Sequence, residues 1–462
     1  MISNAAAHDR PRLSVIGLGK LGSPLAAVLA KKGFEVVGLD LNPQYVATIN
    51  AGQAPVDEPL LQLLLDQNKD RIRATTDYDD AVLNSDISFI IVPTPSGSNG
   101  FFSNRQVIAA VESIGAALRG KSAYHLVVVT STVMPGSTGG EIKNALERSS
   151  GRQVGDTVGL CYNPEFIALG SVVNDLLLPD FILIGEGDDR SGTLLADIYA
   201  QVCDNNPAVL RMNFVNAELC KISVNTFVTT KISYANMLAE MCDNLPDADV
   251  DVVTNALGSD SRIGRKYLKG AVGYGGPCFP RDNKAFAALG RSLGVRCDIA
   301  EATDAINVHQ IERFQAVVAS RCKRGDPIGI LGLSYKPGTG VIEESHGFAL
   351  ALALSNDGYT VYVFDPVALP SASAVLGKRV IATVSAAECA SRSKLIIIAT
   401  PWPEFASLNL SALCNGTERK TIIDPWRCLQ TKSLEEVAEV IHLGTGGWKN
   451  QADRAVPSMR TA

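Results

Sequence analysis

Apolar residues occur along this chain in short runs that alternate with longer segments of helical periodicity. Near the amino terminus, the run "LSVIG" is followed by "SPLAAVLAKKG", which has a proline in its first turn and a glycine at its end, and then by a second run, "EVVGLD". Short apolar runs without polar alternation predict strands that are buried on both faces, and the segment between them predicts a helix. The order strand, helix, strand indicates a parallel α/β unit.

The same alternation continues through both ends of the chain. "ISFIIVPTP" and "YHLVVVTSTVMPGS" predict further strands in the first half, and a second α/β unit begins near residue 326 with "PIGILGLSYKPGT", "HGFALALALSNDG" and "YTVYVFDP". Between the halves, "NFVNAELCKISVNTFVTTKISYANMLAEMCDNL" is long, periodic and free of proline and glycine, and its apolar face is typical of a core or a dimer interface. We therefore predict an α/β protein with two Rossmann-like doubly wound domains, joined by a long central helix and a helical middle domain.

A glycine fingerprint lies between the first strand and the first helix. Gly17, Gly19 and Gly22 have G-x-G-x-x-G spacing, and Asp40 ends the second strand. Such glycines let the backbone approach a pyrophosphate at a helix N-terminus, and the acid is placed to bind ribose hydroxyls. No arginine closely follows Asp40 to hold a 2′-phosphate, which favours NAD over NADP. The alternative is a glycine-rich turn of some other α/β domain.

Two further strand ends are expected to line the same cleft, because ligands of open α/β sheets lie beyond the carboxyl ends of the strands. Thr94 follows one of these strands, and Ser131 and Thr132 follow the other. The second α/β unit has an incomplete glycine fingerprint and need not bind a dinucleotide.

Composition excludes several classes of function. The chain has 462 residues, which suggests two or three domains, and 46% hydrophobic with 19% charged residues is ordinary for a globular protein. A net charge of −6 speaks against a nucleic-acid partner. No secretory signal and no apolar stretch long enough to span a bilayer is evident, so we expect no membrane association and a cytoplasmic location.

One of the ten cysteines stands apart from the others. The cysteines are scattered without C-x-x-C spacing and the five histidines are far apart, so no metal site is predicted and most thiols are expected to be small buried hydrophobes. Cys278 instead lies in "GYGGPCFPRDNKAF", residues 273–286, with three glycines, two prolines and the charged Arg281 and Asp282. This composition predicts a shaped loop throughout. Its thiol is either a nucleophile or a structural group in a turn.

With these elements in order, the chain resembles the nucleotide-sugar 6-dehydrogenases of the UDP-glucose/GDP-mannose dehydrogenase family over almost its whole length. The motifs that carry the resemblance are "STVMPG" at 131–136, "NPEF" at 163–166, "ELCKISVN" at 218–225, "SRIG" at 261–264, "KYLKGAVGYGG" at 266–276, "GYGGPCFPRD" at 273–282 and "LSYK" at 333–336.

The resemblance implies a domain organisation and a reaction. The domains would be an NAD-binding domain at 1–205, a helical dimerisation domain with the cysteine loop at 206–322, a UDP-sugar-binding domain at 323–445 and a flexible tail at 446–462, in a homodimer. The family oxidises a sugar CH₂OH to a carboxylate in two NAD-dependent hydride transfers. Cys278 would add to the intermediate aldehyde as a nucleophile, giving a thiohemiacetal and then a thioester that water cleaves.

Further catalytic roles follow from the same resemblance. Lys221 and Asn225 are four residues apart and share a helix face, where an ammonium and an amide can stabilise an oxyanion. Asp282 would work with Lys221 in proton transfer through a water, although a solvated lysine is the ordinary alternative. Thr132 and Glu165 would lie near the sugar C6 and the nicotinamide, with Glu165 as the base for the hydrolytic water. For Glu165 the alternative is a helix-start carboxylate after its neighbouring proline.

The resemblance also implies a set of substrate contacts. Arg262 would reach the sugar nucleotide from the partner subunit, whereas many lysines and arginines are simply surface charges. The full predicted set is Phe166, Lys221, Asn225, Arg262, Tyr267, Lys269, Gly275, Tyr335 and Lys336.

Several positions depart from the family pattern. Leu169 stands where an acid is usual after "NPEF", Pro277 and Arg281 replace serine and lysine in the cysteine loop, Glu343 replaces an arginine, and "DPWRCL" stands where D-G-R-N is frequent. The expected reaction is the oxidation of UDP-glucose to UDP-glucuronate for polysaccharide or glycoconjugate synthesis. The alternatives are a 6-dehydrogenase of a UDP-N-acetylhexosamine or of GDP-mannose, and a non-catalytic nucleotide-sugar-binding protein.

Overall fold

The computed structural model describes residues 10–409, 419–429, 434 and 438–446. Contacts divide the chain into two units, Met1–Ser223 and Val224–Ala462. Cys414 and all but the first residue of the segment predicted to be a flexible tail lie outside the described residues.

The first unit is built on an eight-stranded sheet with the order β3-β2-β1-β4-β5-β6-β7-β8, in which only the β6–β7 pair is antiparallel. Its strands are β1 (Leu13–Ile16), β2 (Val36–Leu39), β3 (Ile72–Thr75), β4 (Ile87–Ile90), β5 (His125–Val129), β6 (Val158–Tyr162), β7 (Phe181–Glu186) and β8 (Ala208–Met212). Its helices are α1 (Gly22–Lys31), α2 (Pro43–Asn50), α3 (Leu61–Asn68), α4 (Tyr78–Leu83), α5 (Arg105–Leu118), α6 (Lys143–Ser150), α7 (Val172–Leu177) and α8 (Asp189–Val202).

Both faces of this sheet are covered, as the unbroken apolar runs predict. In β5, Leu126 and Val128 pack into one hydrophobic core, whereas Val127 and Val129 pack into the core on the opposite face. Since successive side chains of a strand point to opposite faces, a run with no polar alternation needs helices on both sides.

The long helix predicted between the halves is confirmed as α9 (Phe214–Asn244), and it runs through the boundary between the two units. The remaining helices are α10 (Val250–Gly258), α11 (Phe279–Ser292), α12 (Asp298–Arg321), α13 (His346–Asn356), α14 (Leu369–Leu376), α15 (Ala386–Arg392) and α16 (Pro403–Ala406). The second sheet contains β9 (Pro327–Leu331), β10 (Thr360–Phe364), β11 (Ile381–Ala382), β12 (Leu395–Ile398), β13 (Lys420–Ile423) and β14 (Ala438–Ile441).

The second sheet repeats the topology of the first six strands of unit 1. Its order is β11-β10-β9-β12-β13-β14, and all its pairs are parallel. Gly332 follows β9 with a φ of +100°, as Gly17 follows β1 with +101°. A methyl group on Gly347 would lie 2.1 Å from the Gly332 carbonyl oxygen, and one on Gly22 would lie 1.8 Å from that of Gly17. Both units therefore contain the same close approach of helix to strand end.

A buried ion pair fastens the helices of unit 2 to its carboxyl-terminal segment. The Arg313 guanidinium of α12 donates to the Asp243 carboxylate of α9, and both side chains are almost fully buried. The other oxygen of Asp243 accepts a hydrogen bond of 2.6 Å from the backbone N–H of Gly444. Both carboxylate oxygens are thus satisfied, which a buried charge requires.

Throughout the ranges that the structure describes, we find no helix with both the length and the apolar character needed to cross a membrane.

Candidate active site

The glycine fingerprint forms the turn that joins β1 to α1. Gly17 has a positive φ, and a methyl group there would lie 2.1 Å from the Ile91 carbonyl oxygen. Gly22 is required by its contact with Gly17. Gly19 differs, because a methyl group on it would meet nothing within 4 Å. The fold itself does not need a glycine at position 19, so the open space beside it fits a group that approaches the helix N-terminus, such as a pyrophosphate.

Asp40 borders a cleft of about 330 Å³, which is also lined by Gly17, Tyr78 and Val92. Its Oδ2 accepts a hydrogen bond of 2.7 Å from Leu18 N, which ties the end of β2 to the glycine turn. The side chain remains half-exposed. A carboxylate has about four acceptor positions, so capacity remains for ribose hydroxyls. These residues fit the NAD that the fingerprint predicts, and the contact of Asp40 with ribose stays a prediction.

Thr94, Ser131 and Thr132 come together, as expected of neighbouring strand ends. The Thr94 hydroxyl donates to the Thr132 carbonyl oxygen at 2.7 Å. The Ser131 hydroxyl donates to Val92 O at 2.7 Å and accepts from Val92 N at 2.8 Å. The loops after β4 and β5 are thereby joined through side chains that sequence reasoning had assigned only to the cofactor.

Glu218, at the start of α9, fastens the loop after β5 and was not among the predicted residues. Its carboxylate is fully buried and accepts from Gly136 N at 2.6 Å and Thr138 N at 2.7 Å. Burial raises the pKa of Glu218, and the hydrogen bonds from Thr138 and Gly136 offset part of that rise. The motif "ELCK" contains this glutamate, but nothing in the motif indicates its partners.

Lys221 lies one turn further along α9 and is only 7% exposed, so the alternative of a solvated lysine is wrong. Its Nζ donates to the Glu165 carbonyl oxygen at 2.7 Å and lies 4.7 Å from the centre of the Phe166 ring. The ammonium is therefore held beside the loop that follows β6 by one hydrogen bond and one cation–π contact.

Glu165 lies in an irregular segment, and α7 begins only at Val172, so the alternative of a helix-start carboxylate is also wrong. The Tyr199 hydroxyl lies 2.9 Å from Glu165 Oε1. Burial raises the pKa of Glu165 to about 7, against the opposing effects of the Tyr199 hydrogen bond and the charge of Lys221. A carboxyl group with that pKa can exchange a proton near neutral pH, as a general base must.

Glu58 supports the same loop from a distant segment. Its carboxylate is buried and accepts from Gly170 N and Val172 N, both at 2.8 Å. Leu169, the departure noted in the sequence, packs against the hydrophobic core of unit 1. The loop is therefore held by the apolar packing of Leu169 and by the hydrogen bonds to the Glu58 carboxylate.

Cys278 is exposed and occupies the N-cap position of α11. The prediction of a loop over residues 273–286 is wrong beyond the cysteine, because the helix begins at Phe279. Pro280 is compatible with this helix, since a backbone N–H in the first turn has no intrahelical partner. The Asp282 carboxylate in the same turn interacts favourably with the positive end of the helix dipole. The N-terminus of the helix offers backbone N–H groups that stabilise a thiolate.

The three glycines before Cys278 are all required by close neighbours within unit 2. A methyl group on Gly273 would lie 2.1 Å from His346 Nε2, and one on Gly275 would lie 2.3 Å from the Glu344 carbonyl oxygen. Gly276 has a φ of +83°, and its methyl group would meet the ring of Tyr335 at 2.7 Å. The loop that presents the thiol is therefore pressed against the segment that follows β9.

Asp282 and Asn225, for which separate roles were expected from the sequence, are brought together by a hydrogen bond. The Asp282 side chain is buried, and its Oδ2 accepts from Asn225 Nδ2 at 2.6 Å. Its Oδ1 accepts from the Arg281 guanidinium at 3.1 and 3.2 Å. Asn225 is thereby held in one orientation, and Arg281, a departure from the family pattern, forms an ion pair with its neighbour Asp282.

The other predicted substrate contacts occupy more exposed positions. Lys269 donates to the Trp426 carbonyl oxygen at 3.0 Å. Tyr267 has a φ of +65° and presents its ring to that of Phe279. Lys336 is half-buried, and within one chain the exposed Arg262 pairs with its neighbour Asp260 rather than with a predicted site residue.

Asp365 directly follows β10, as Asp40 follows β2, but Asp365 is fully buried. It accepts from the backbone N–H groups of Leu333 and Ser334 and from the Trp402 indole at 3.2 Å. Its role is structural, whereas Asp40 remains half-exposed at a cleft. Elsewhere, the free thiols of Cys161, Cys242, Cys322 and Cys389 are buried, and those of Cys203, Cys220, Cys297 and Cys428 are half-buried.

Three family models match successive parts of the chain. Residues 11–203 match the NAD binding domain of the UDP-glucose/GDP-mannose dehydrogenase family, residues 215–309 match its central domain, and residues 329–431 match its UDP binding domain.

Individual relatives extend the match to nearly the full length. UDP-glucose 6-dehydrogenase AglM of Haloferax volcanii is 38% identical over 401 residues, which cover 86% of this chain and 93% of that protein. GDP-mannose 6-dehydrogenase of Pseudomonas aeruginosa is 33% identical and covers 77% of this chain and 81% of its own. The structure of a UDP-glucose dehydrogenase from Pyrobaculum islandicum superposes with a TM-score of 0.86 at 34% identity, covering 96% of this chain and 100% of that one.

Proposed function

The chain belongs to the UDP-glucose/GDP-mannose dehydrogenase family, and from this premise we propose that it oxidises the C6 hydroxymethyl group of UDP-glucose to the carboxylate of UDP-glucuronate through a covalent intermediate on Cys278. It is an NAD-binding nucleotide-sugar 6-dehydrogenase. The observation that carries the proposal is an exposed thiol at the N-terminus of a helix whose first turn also contains the buried Asp282.

The proposed reaction has two oxidations and one hydrolysis. In the first oxidation, the C6 hydroxyl loses a proton and the carbon gives up a hydride, which leaves an aldehyde. The Cys278 thiolate adds to the aldehyde carbon, and the aldehyde oxygen takes up a proton to give a thiohemiacetal. Loss of this proton and a second hydride leaves a thioester, which water cleaves to the carboxylate and the thiolate. Bound NAD supplies the hydride acceptor, one molecule for each oxidation.

The proposed reaction also requires that negative charge on the C6 oxygen be stabilised. An alkoxide or a tetrahedral oxyanion is stabilised by donors that are already oriented before the reaction. The buried Lys221 ammonium and the Asn225 amide are proposed to be those donors. Asn225 is oriented by its hydrogen bond to Asp282, and Lys221 by its bond to the Glu165 carbonyl oxygen.

Glu165 is proposed as the base that accepts a proton from the hydrolytic water. Its pKa of about 7, raised by burial, leaves a substantial fraction ionised at neutral pH and makes that fraction more basic than an ordinary carboxylate. Thr132 is proposed to lie near the reacting carbon.

The choice of UDP-glucose rests on the resemblance of the cysteine loop and on the relatives that act on it. GDP-mannose 6-dehydrogenases are nearly as similar to this chain, so a panel of nucleotide sugars is part of the test. The contacts proposed for the substrate are Phe166, Arg262, Tyr267, Lys269, Gly275, Tyr335 and Lys336.

A homodimer is proposed on the basis of an apolar stripe on α9. Phe227, Tyr234 and Met241 recur every seven residues and are 67%, 45% and 52% exposed. Seven-residue spacing keeps side chains on nearly one face of a helix, and large exposed side chains there suit a helix of a second copy. A dimer would also bring the exposed Arg262 of one chain to its partner.

The test is the number of NADH molecules formed per UDP-glucose consumed, measured by absorbance for the wild type and for Cys278→Ser. We expect two NADH per sugar in the wild type and loss of turnover in the variant. A wild type that forms NADH only from GDP-mannose or a UDP-N-acetylhexosamine would change the substrate. Binding of nucleotide sugars without NADH formation would overturn the enzymatic proposal in favour of a binding protein.

A further inference from the structure

The Tyr199 hydroxyl of α8 lies between the side-chain oxygen atoms of Asn163 and Glu165. It is 2.5 Å from Asn163 Oδ1 and 2.9 Å from Glu165 Oε1, and both Tyr199 and Asn163 are almost fully buried. The Asn163 amide donates its Nδ2 to the Leu183 carbonyl oxygen at 2.9 Å. That bond fixes the orientation of the amide, so the atom facing Tyr199 is an acceptor.

The hydrogen bonds among Tyr199, Asn163 and Glu165 can take two arrangements. A phenol has a single hydrogen, and here two acceptors compete for it. When Glu165 is protonated, its carboxyl can donate to the phenol oxygen while Tyr199 donates to Asn163, and every group is satisfied. When Glu165 is ionised, the phenol turns to the carboxylate and Asn163 Oδ1 loses its donor. Because the site is buried, that loss favours the protonated state of Glu165.

The other ionisable groups around Glu165 act on the same balance. Lys221, on α9, donates to the Glu165 carbonyl oxygen, and its positive charge favours the carboxylate. Cys203, at the end of α8, is neutral near pH 7 because burial raises its thiol pKa to about 11. Lys32 and Asp204 lie beyond Cys203 and form an ion pair with each other. The Tyr199 hydroxyl is the group that joins Glu165 to a second buried acceptor.

We propose that Tyr199 is a positioning residue whose hydroxyl turns between Asn163 and Glu165, and that this turn sets the pH range in which Glu165 accepts a proton from the hydrolytic water. This inference rests on the proposed function of Glu165. Tyr199 lies outside the sequence motifs, and Asn163, the first residue of "NPEF", had no predicted role.

Two substitutions should move the pH dependence in opposite directions. Tyr199→Phe removes the donor to the carboxylate. The acid limb of the pH–rate profile for thioester hydrolysis should therefore move to higher pH by about one unit or more. Asn163→Ala removes the competing acceptor and leaves the phenol to the carboxylate, so the same limb should move downward. A merely structural role for Tyr199 would not produce opposite shifts.

Tyr124→Phe provides the matched control. Tyr124 also belongs to unit 1, and its hydroxyl lies 3.0 Å from Ser191 Oγ of α8. Its ring stacks on the Arg190 guanidinium, a contact that phenylalanine retains. This variant loses one phenolic hydroxyl without touching Glu165, and it should leave the pH limb in place.

The measurement is a single turnover with enzyme in excess, quenched at intervals, in which the thioester on Cys278 is followed by intact-protein mass at several pH values. A second readout needs no substrate. The carboxyl stretching band of Glu165 is identified as the infrared band that is absent from Glu165→Gln, and its intensity is followed as a function of pH in the protein without substrate. Shifts in the same direction for both variants, or no shift in either, would overturn the role of Tyr199. If the wild type formed no NADH from any nucleotide sugar, the proposed function would fall, and the infrared titration would still decide the coupling of Tyr199 to Glu165.

Discussion

Replacing Glu165 by glutamine should stabilise the protein at alkaline pH and not at acid pH. Burial raises the pKa of Glu165 from 4.5 to about 7, which corresponds to about 3 kcal/mol at 1.36 kcal/mol per pKa unit. The side chain is only partly buried, so solvent screens some of this energy and we expect a gain of about 1–2 kcal/mol. A carboxyl with a raised pKa contributes stability below its unfolded pKa and loses it as pH rises through the folded value. The gain from glutamine should therefore grow between about pH 4.5 and 7 and then level off.

The assay is the difference in apparent unfolding midpoint between the variant and the wild type, measured from acid to alkaline pH. With two units in one chain, the comparison should be restricted to the same calorimetric transition. A difference that stays constant with pH would refute the reasoning, because it would show that ionised Glu165 costs no more in the folded chain than in the unfolded one.

The same variant has a kinetic signature. Without the base, the thioester should still form but should hydrolyse at least about 100-fold more slowly, since a positioned base contributes about 10²–10⁴-fold. We expect a burst of two NADH per active site followed by slow turnover. Full steady-state turnover by Glu165→Gln would contradict the assignment of the base.

Other substitutions separate cofactor binding from folding. Gly19→Ala should weaken NAD binding in calorimetric titrations and leave the unfolding midpoint unchanged, because its methyl group enters open space. Gly22→Ala should destabilise the fold by about 2 kcal/mol or more, because the methyl group overlaps the Gly17 carbonyl oxygen. Arg313→Met should cost about 3–5 kcal/mol in denaturant unfolding by leaving the Asp243 carboxylate buried and unpaired. Asp243→Leu in the same chain should restore part of that loss, since it removes the unpaired charge but also the acceptor of the Gly444 N–H. Equal losses in the single and the double variant would contradict this account.

Local patterns predicted the fold class and many of the strands and helices. The strand, glycine turn and helix around Gly17 follow from neighbouring residues, as does the helix face shared by Lys221 and Asn225. Such features depend on short-range backbone geometry, which the order of residue types determines directly. The loop prediction for residues 273–286 was wrong after Cys278, because proline and glycine were given equal weight although proline is well tolerated in a first helical turn.

Contacts between distant segments could not be predicted in this way. Tyr199 lies 34 residues from Glu165, and Glu58 lies 112 residues from Gly170. A lone tyrosine on an amphipathic helix has no sequence feature that indicates its partner. The second glycine turn was missed for a related reason: residues 333–346 separate its two glycines, whereas residues 18–21 separate those of the first turn. An insertion therefore hides from the sequence a geometry that the backbone retains.

The three glycines before Cys278, each with a close neighbour, also constrain which substitutions this protein can accept over evolutionary time. Gly273 is blocked by a histidine side chain, Gly275 by a backbone carbonyl and Gly276 by a tyrosine ring together with its own φ. A single substitution elsewhere can relieve at most one of these three obstacles. Mutational drift in the loop that carries the Cys278 thiol is therefore restricted by a segment about 60 to 70 residues away in the chain. A laboratory search for new substrates would find more freedom in the residues that face solvent than in this loop.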